Sequence, residues 1–120
     1  MSVVQRYLRA VGNQDWETAE ACLGEDVVRL GPFGDDFQGR ADYIGHLRQV
    51  MPALQGYRME IGRLVVSPDR KTVVAELAET VDLAGVPTRT EESLVFDLDG
   101  DGLISRIAIY IRQSAPRPGS

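Results

Sequence analysis

Thr72 to Leu83 reads T-V-V-A-E-L-A-E-T-V-D-L, and its alternation decides the fold. Side chains point to opposite faces at successive positions of a strand. Val73, Ala75, Leu77, Val81 and Leu83 therefore share one face, and Glu76, Ala78, Thr80 and Asp82 share the other. The first set is expected to face a core and the second to face water. Glu79 breaks the pattern by falling on the apolar face. An ionised carboxylate there is costly unless it is paired, hydrated or protonated, which makes Glu79 a candidate acid–base group.

Two further β-runs follow, from about Pro87 to Leu98 and from Leu103 to Arg112, joined by Gly-containing turns. Together with the opening run they predict a curved sheet. Upstream, Val3, Val4, Tyr7, Leu8 and Val11 recur at helical spacing and end near Gly12-Asn13. Asp15 is positioned to cap a short helix carrying Trp16, Ala19, Cys22 and Leu23 inward, stopped by Gly24. Glu25 to Leu30 reads as a short strand. Gly31 to Phe37 is a loop of turn formers with two aromatics, Phe33 and Phe37, suited to covering a pocket or another chain. A third helix is expected from about Arg40 to Leu54, its last turn disturbed by Pro52. Tyr57 to Val66 completes the set of strands.

The fold class predicted is α+β, a cone-shaped curved antiparallel sheet with three N-terminal helices enclosing a pocket. A chain of 120 residues suits one core, so residues 1–113 are read as a single domain and 114–120 as a disordered tail. The net charge of -5 argues against nucleic acid or an anionic membrane surface as partner. With one cysteine, Cys22, no internal disulfide can form. No apolar run reaches the ~20 residues of a membrane span, and no signal peptide is evident, so the expected location is cytoplasmic.

Across the hairpin from Glu79, the set Thr88, Thr90, Glu92, Leu94 and Phe96 faces the same way, which brings Glu92 near Glu79. Two adjacent carboxyls resist ionising together, so one tends to hold its proton. Pairing of Glu79 with an arginine such as Arg63 is the structural alternative. His46, off the apolar stripe of its helix, reads as a solvated residue. Asp97 to Ile104 matches the first eight positions of a calcium-binding EF-hand loop, but Ala108 stands at position twelve, so a β-turn is the expectation. No metal site and no organic cofactor are expected.

This element order, with Val3-Val4-Gln5-Arg6-Tyr7, the Gly31-Pro32-Phe33-Gly34 loop and the Gly100–Gly102 turn, resembles the nuclear transport factor 2-like superfamily over residues 3 to 112. Within it the chain is most similar to ketosteroid isomerases and SnoaL-like polyketide cyclases. The resemblance implies an acid–base isomerase or cyclase acting on a polyketide- or steroid-like molecule, apolar but oxygen-bearing. Tyr7 then matches an oxyanion-stabilising phenol, with Glu79 as proton carrier and Glu92 as its helper. The family's loop base falls on Gly31 and its sheet acid on Leu94, neither of which can take a proton. Trp16, Phe33, Met59, Leu77, Leu94, Phe96, Ile107 and Ile109 are the expected ligand-binding residues. The resemblance also implies a homodimer packed through the outer sheet face, which carries Ala78, Thr80, Ser93, Val95, Ala108 and Tyr110. Two alternatives remain open. One is a non-catalytic ligand-binding or dimerisation module. The other is an epoxide hydrolase of the limonene type, for which Asp82 would have to turn inward and Ile109 stands where a second aspartate belongs.

Overall fold

The computed structural model describes residues 1–113, and the expected disordered tail lies outside them. The order is α1 (Val3–Gly12), α2 (Trp16–Ala21), β1 (Leu23–Leu30), β2 (Phe37–Gln38), α3 (Arg40–Val50), β3 (Arg58–Val66), β4 (Thr72–Leu83), β5 (Val86–Leu98) and β6 (Ile104–Ile111). Ser2 caps α1 by accepting from the Gln5 N–H while the Gln5 side chain accepts from the Ser2 N–H. Asp15 caps α2 as expected, its side chain accepting from Thr18. The strands form one six-stranded sheet in the order β2-β1-β6-β5-β4-β3.

Three details depart from the sequence reading. The sheet is not wholly antiparallel, because β1 runs parallel to β6, with Arg29 opposite Ile107. The third helix stops at Val50, and Met51–Ala53 form a single 3-10 turn, since Pro52 supplies no N–H to continue the helix. That leaves Leu54 exposed. Leu23 belongs to β1 rather than to the second helix; it lies opposite Ile104 and is fully buried.

The register of the sheet explains the core. Val73 lies opposite Phe96, and Ala75 opposite Leu94; Phe96 in turn lies opposite Ile107 on β6. All of these are buried and packed under Tyr7 and Leu8 of α1 and Tyr43, Ile44 and Leu47 of α3. Phe96 meets the Tyr7 ring edge-on, with centroids 5.9 Å apart. The alternation of β4 holds through this region and fades beyond it. Leu83, expected in the core, is 57% exposed because the hairpin tip at Ala84-Gly85 carries it past the helices. Ala78 and Thr80, expected in water, are buried on the outer face, where they are small enough to be shielded by longer neighbours.

Candidate active site

The strand register brings two carboxyls together on the inner face. Glu79 of β4 lies opposite Met59 and Thr90, and Glu92 of β5 lies opposite Leu77 and Ile111. The two acids are thus diagonal neighbours across the hairpin, within reach for long side chains. Burial, a hydrogen bond with Glu79 and the Glu79 charge push the Glu92 carboxyl up to about 9, with Arg29 offsetting part of the rise. At neutral pH Glu92 is therefore a neutral acid that donates to Glu79. Tyr57 donates a second hydrogen bond to Glu79 Oε2, at 2.5 Å. Burial and the nearby Glu79 charge raise the Tyr57 phenol far above its ordinary value, so it acts as a donor only. Glu79 is held by two O–H donors, and no arginine among the described residues pairs with it. Arg63, the expected alternative partner, pairs with Glu76 on the outer face.

A second polar group lies deeper. The Tyr7 and Tyr43 hydroxyls are 2.5 Å apart in the core. Burial raises both phenols, and each also feels the Glu79 charge. One phenol proton is used within the pair, which leaves the other to give. Arg29 enters from β1, with its guanidinium 5.8 Å from the Tyr43 ring centre and 5.9 Å from that of Phe37. Its Nη1 donates to both the backbone oxygen and Oδ2 of Asp35, each at 2.8 Å. Burial alone would raise Asp35, but hydrogen bonds from Arg29 and from the backbone of Asp35 and Phe33 outweigh it and hold the carboxyl below its ordinary value. The Arg29 Nε is buried without a partner.

Asp35 also explains Gly31, where the resemblance expects a base. A Cβ on Gly31 would come 2.2 Å from Asp35 Oδ1 and 2.6 Å from Arg29 Nη1. The loop thus holds a carboxylate next to that position after all, but one committed to an ion pair and ill-suited to accept a proton.

Of the expected site residues, Glu79, Glu92 and Tyr7 point into this inner region. Leu77, Leu94, Phe96 and Ile107 are buried in the core, and Trp16 and Ile109 pack against it half-buried. Phe33 lies at the loop tip, 73% exposed. Met59 lines a cleft of about 360 Å³ between α1 and β3. A larger groove of about 560 Å³ lies on the outer face, bordered by Glu60, Glu76, Ala78, Glu91, Tyr110 and Arg112. His46 is not free in solvent; it is half-buried, its ring 4.3 Å from that of Phe37. Asp99 spends its carboxylate on the turn itself, accepting from the Asp101 and Leu103 N–H groups. Asp82 stays outside, its N–H bonded to the Gln55 carbonyl and its carboxylate filling the space over Gly56. Among the described residues no three His, Cys, Asp or Glu side chains gather as a metal site. No helix among them is long and apolar enough to cross a membrane.

Three residues escape the sequence reading: Tyr43, Tyr57 and Arg29. Arg29 carried a signal, because it shares the inward phase of the buried Val27, as Glu79 does on β4. Tyr57 carried none, since the turn at Gly56 aims it.

The curved sheet with helices on its inner face defines the nuclear transport factor 2-like, ketosteroid isomerase-like class of α+β cones. Solved structures agree. A proposed ketosteroid isomerase from Kribbella flavida superposes with a TM-score of 0.83 at 20% identity, over 98% of this chain and 81% of that one. A proposed polyketide cyclase from Xanthomonas campestris gives 0.76 at 27% identity, over 92% and 87%. An LEH-like epoxide hydrolase from M. tuberculosis gives 0.78 at 24% identity, over 92% and 80%. The chain belongs to the SnoaL-like domain family, which matches residues 4–107. No curated protein matches it in sequence.

Proposed function

We propose that this protein is a small-molecule enzyme working by general acid–base catalysis, an isomerase or cyclase acting on an apolar, oxygen-bearing substrate of the polyketide or steroid kind. The supporting observation is the carboxyl pair: Glu79 and Glu92 are diagonal neighbours on the inner face, and burial and the hydrogen bond with Glu79 hold Glu92 in its protonated form at neutral pH. An acid and a base offered at one pH are what a proton transfer across a carbonyl system needs. Glu79 takes a proton from carbon or hydroxyl once Tyr57 yields its place. Glu92 returns a proton to the product oxygen or carbon. The spare proton of the Tyr7–Tyr43 pair stabilises a developing oxyanion. The chemistry asks for no metal or organic cofactor. Turnover of 1,3-dicarbonyl and aldol-type substrates should fall by about 10²-fold or more in Glu79→Gln; equal rates remove Glu79 from the mechanism.

Epoxide opening is a second reading, favoured by the same neutral Glu92. It would protonate the ring oxygen while Glu79 activates the incoming hydroxyl, with no part for Asp82. A non-catalytic binding or dimerisation module is the third. The solid packing around Leu94, Phe96 and Ile107 supports it. Epoxide and carbonyl panels run in parallel separate the three. We also propose that two copies associate through the outer sheet face, where Tyr110 is 60% exposed beside the groove. A monomeric mass at micromolar concentration would count against this.

A further inference from the structure

The buried phenol pair has two possible directions, and the groups behind it choose between them. The Tyr7 and Tyr43 oxygens are 2.5 Å apart, so one hydroxyl donates to the other, and both side chains are buried. Arg29 stands behind Tyr43. It lies on β1 opposite the fully buried Ile107, and its guanidinium carbon is 5.8 Å from the Tyr43 ring centre. Nη1 is held at 2.8 Å by both the backbone oxygen and Oδ2 of Asp35, and Nε is buried without a partner. This ion pair is lopsided: the Arg29 side chain is 12% exposed and that of Asp35 45%. Water screens the anion more than the cation, so a positive field remains at the phenols. An arginine has donors only. It attracts the lone pairs of the Tyr43 oxygen and repels the hydroxyl proton, for which the Tyr7 oxygen is the acceptor at hand. Acidity gives the same direction. Burial lifts both phenols, but Tyr43 is drawn back by its hydrogen bond with Tyr7 and by Arg29, while Tyr7 stays well above its ordinary value. The more acidic phenol of a pair is the better donor, and the less acidic the better acceptor.

We infer that Arg29, clamped by Asp35, is a positioning residue: it turns the Tyr43 hydroxyl proton onto the Tyr7 oxygen and so frees the Tyr7 proton for the substrate oxygen. The direction of the pair belongs to the fold and exists without substrate; the use of the Tyr7 proton rests on the acid–base reading. Tyr7 then makes the hydrogen bond to the developing oxyanion, and Tyr43 acts through it. Each bond in such a row strengthens the next by about 10–30%. Gly31 serves the same clamp, because a Cβ there would come 2.2 Å from Asp35 Oδ1 and 2.6 Å from Arg29 Nη1. The position that lacks a base is the one that must stay bare for Arg29 to be held.

Proton NMR of the whole chain carrying ring-carbon-13 tyrosine reads the direction without substrate. The hydroxyl proton of the short bond lies far downfield and should couple to the ring carbons of Tyr43. The Tyr57 proton on Glu79 is also expected downfield and is set apart by its loss in Tyr57→Phe. Coupling to the Tyr7 ring instead, or no downfield hydroxyl proton in the pair, would overturn the inference. Arg29→Lys should keep the proton on Tyr43, and Arg29→Met should move it to Tyr7 or spread it over both rings. An unmoved proton in Arg29→Met takes the role from Arg29; a poorly folded Arg29→Met leaves the native spectrum decisive. In turnover, Tyr7→Phe should lower kcat by about 10²-fold, as expected for one oxyanion donor. Tyr43→Phe should lower it by only about three- to tenfold, and the reverse order would count against the inference. The two ideas fail separately. A proton on Tyr43 in a protein whose turnover ignores Glu79→Gln sinks the catalytic reading alone. Turnover that needs Glu79 while the proton sits on Tyr7 sinks this one alone.

Discussion

Replacing Glu92 by glutamine keeps the shape and a donor toward Glu79 but removes the titrating proton. In the native chain the folded carboxyl holds its proton up to about 9, whereas an unperturbed carboxyl releases it near 4.5. Between those values the folded chain binds a proton that the unfolded chain has lost. Stability therefore falls as pH rises through that window and levels off above it. Full coupling would cost about 1.4 kcal/mol per pH unit, and water reaching the half-buried pair trims the total to about 2–3 kcal/mol. Glu92→Gln should flatten this slope. It should be close to the native protein near the acid end and more stable than it by about 2–3 kcal/mol at the alkaline end. Urea denaturation followed by circular dichroism at several pH values, with equal m-values required, reads the difference directly. Titrating groups remote from the pair cancel between the two proteins. Parallel stability–pH curves would refute the assignment of a buried neutral acid at this position.

Two further outcomes are expected. Tyr7→Phe strands the Tyr43 hydroxyl in the core and should cost about 1–3 kcal/mol in a thermal or urea melt. The Tyr7→Phe/Tyr43→Phe double variant should cost less than the sum of the singles, because no hydroxyl is then left unpaired. Gly31→Ala places a methyl 2.2 Å from Asp35 Oδ1, so Arg29 and Asp35 must part. A loss of about 1–3 kcal/mol, with faster amide exchange over residues 31–36, is expected, and unchanged exchange would contradict it.

Much of this was readable in the chain because strands write their faces with a period of two. Val73, Ala75 and Leu77 located the core, and Glu79 stood out against them. The same period placed Glu92 on the matching face of the neighbouring strand. It could not say where the strand outruns its cover, which is why Leu83 misleads. Nor does a pattern of faces tell a lined cavity from a filled one: Leu94, Phe96 and Ile107 face inward as expected and meet helix side chains there. The parallel contact of β1 with β6 joins residues far apart in sequence, and no local signal carries it. Tyr57 reaches Glu79 through a turn whose glycine has φ +63°, a geometry that periodicity does not describe.

The proposed chemistry turns on the proton of Glu92. Carbon-13 NMR of the glutamate side-chain carboxyls, followed against pH, sees it without reference to stability or substrate. One glutamate resonance should move near pH 9 and be absent from Glu92→Gln. A spectrum in which every glutamate titrates in the ordinary carboxylate range would contradict it.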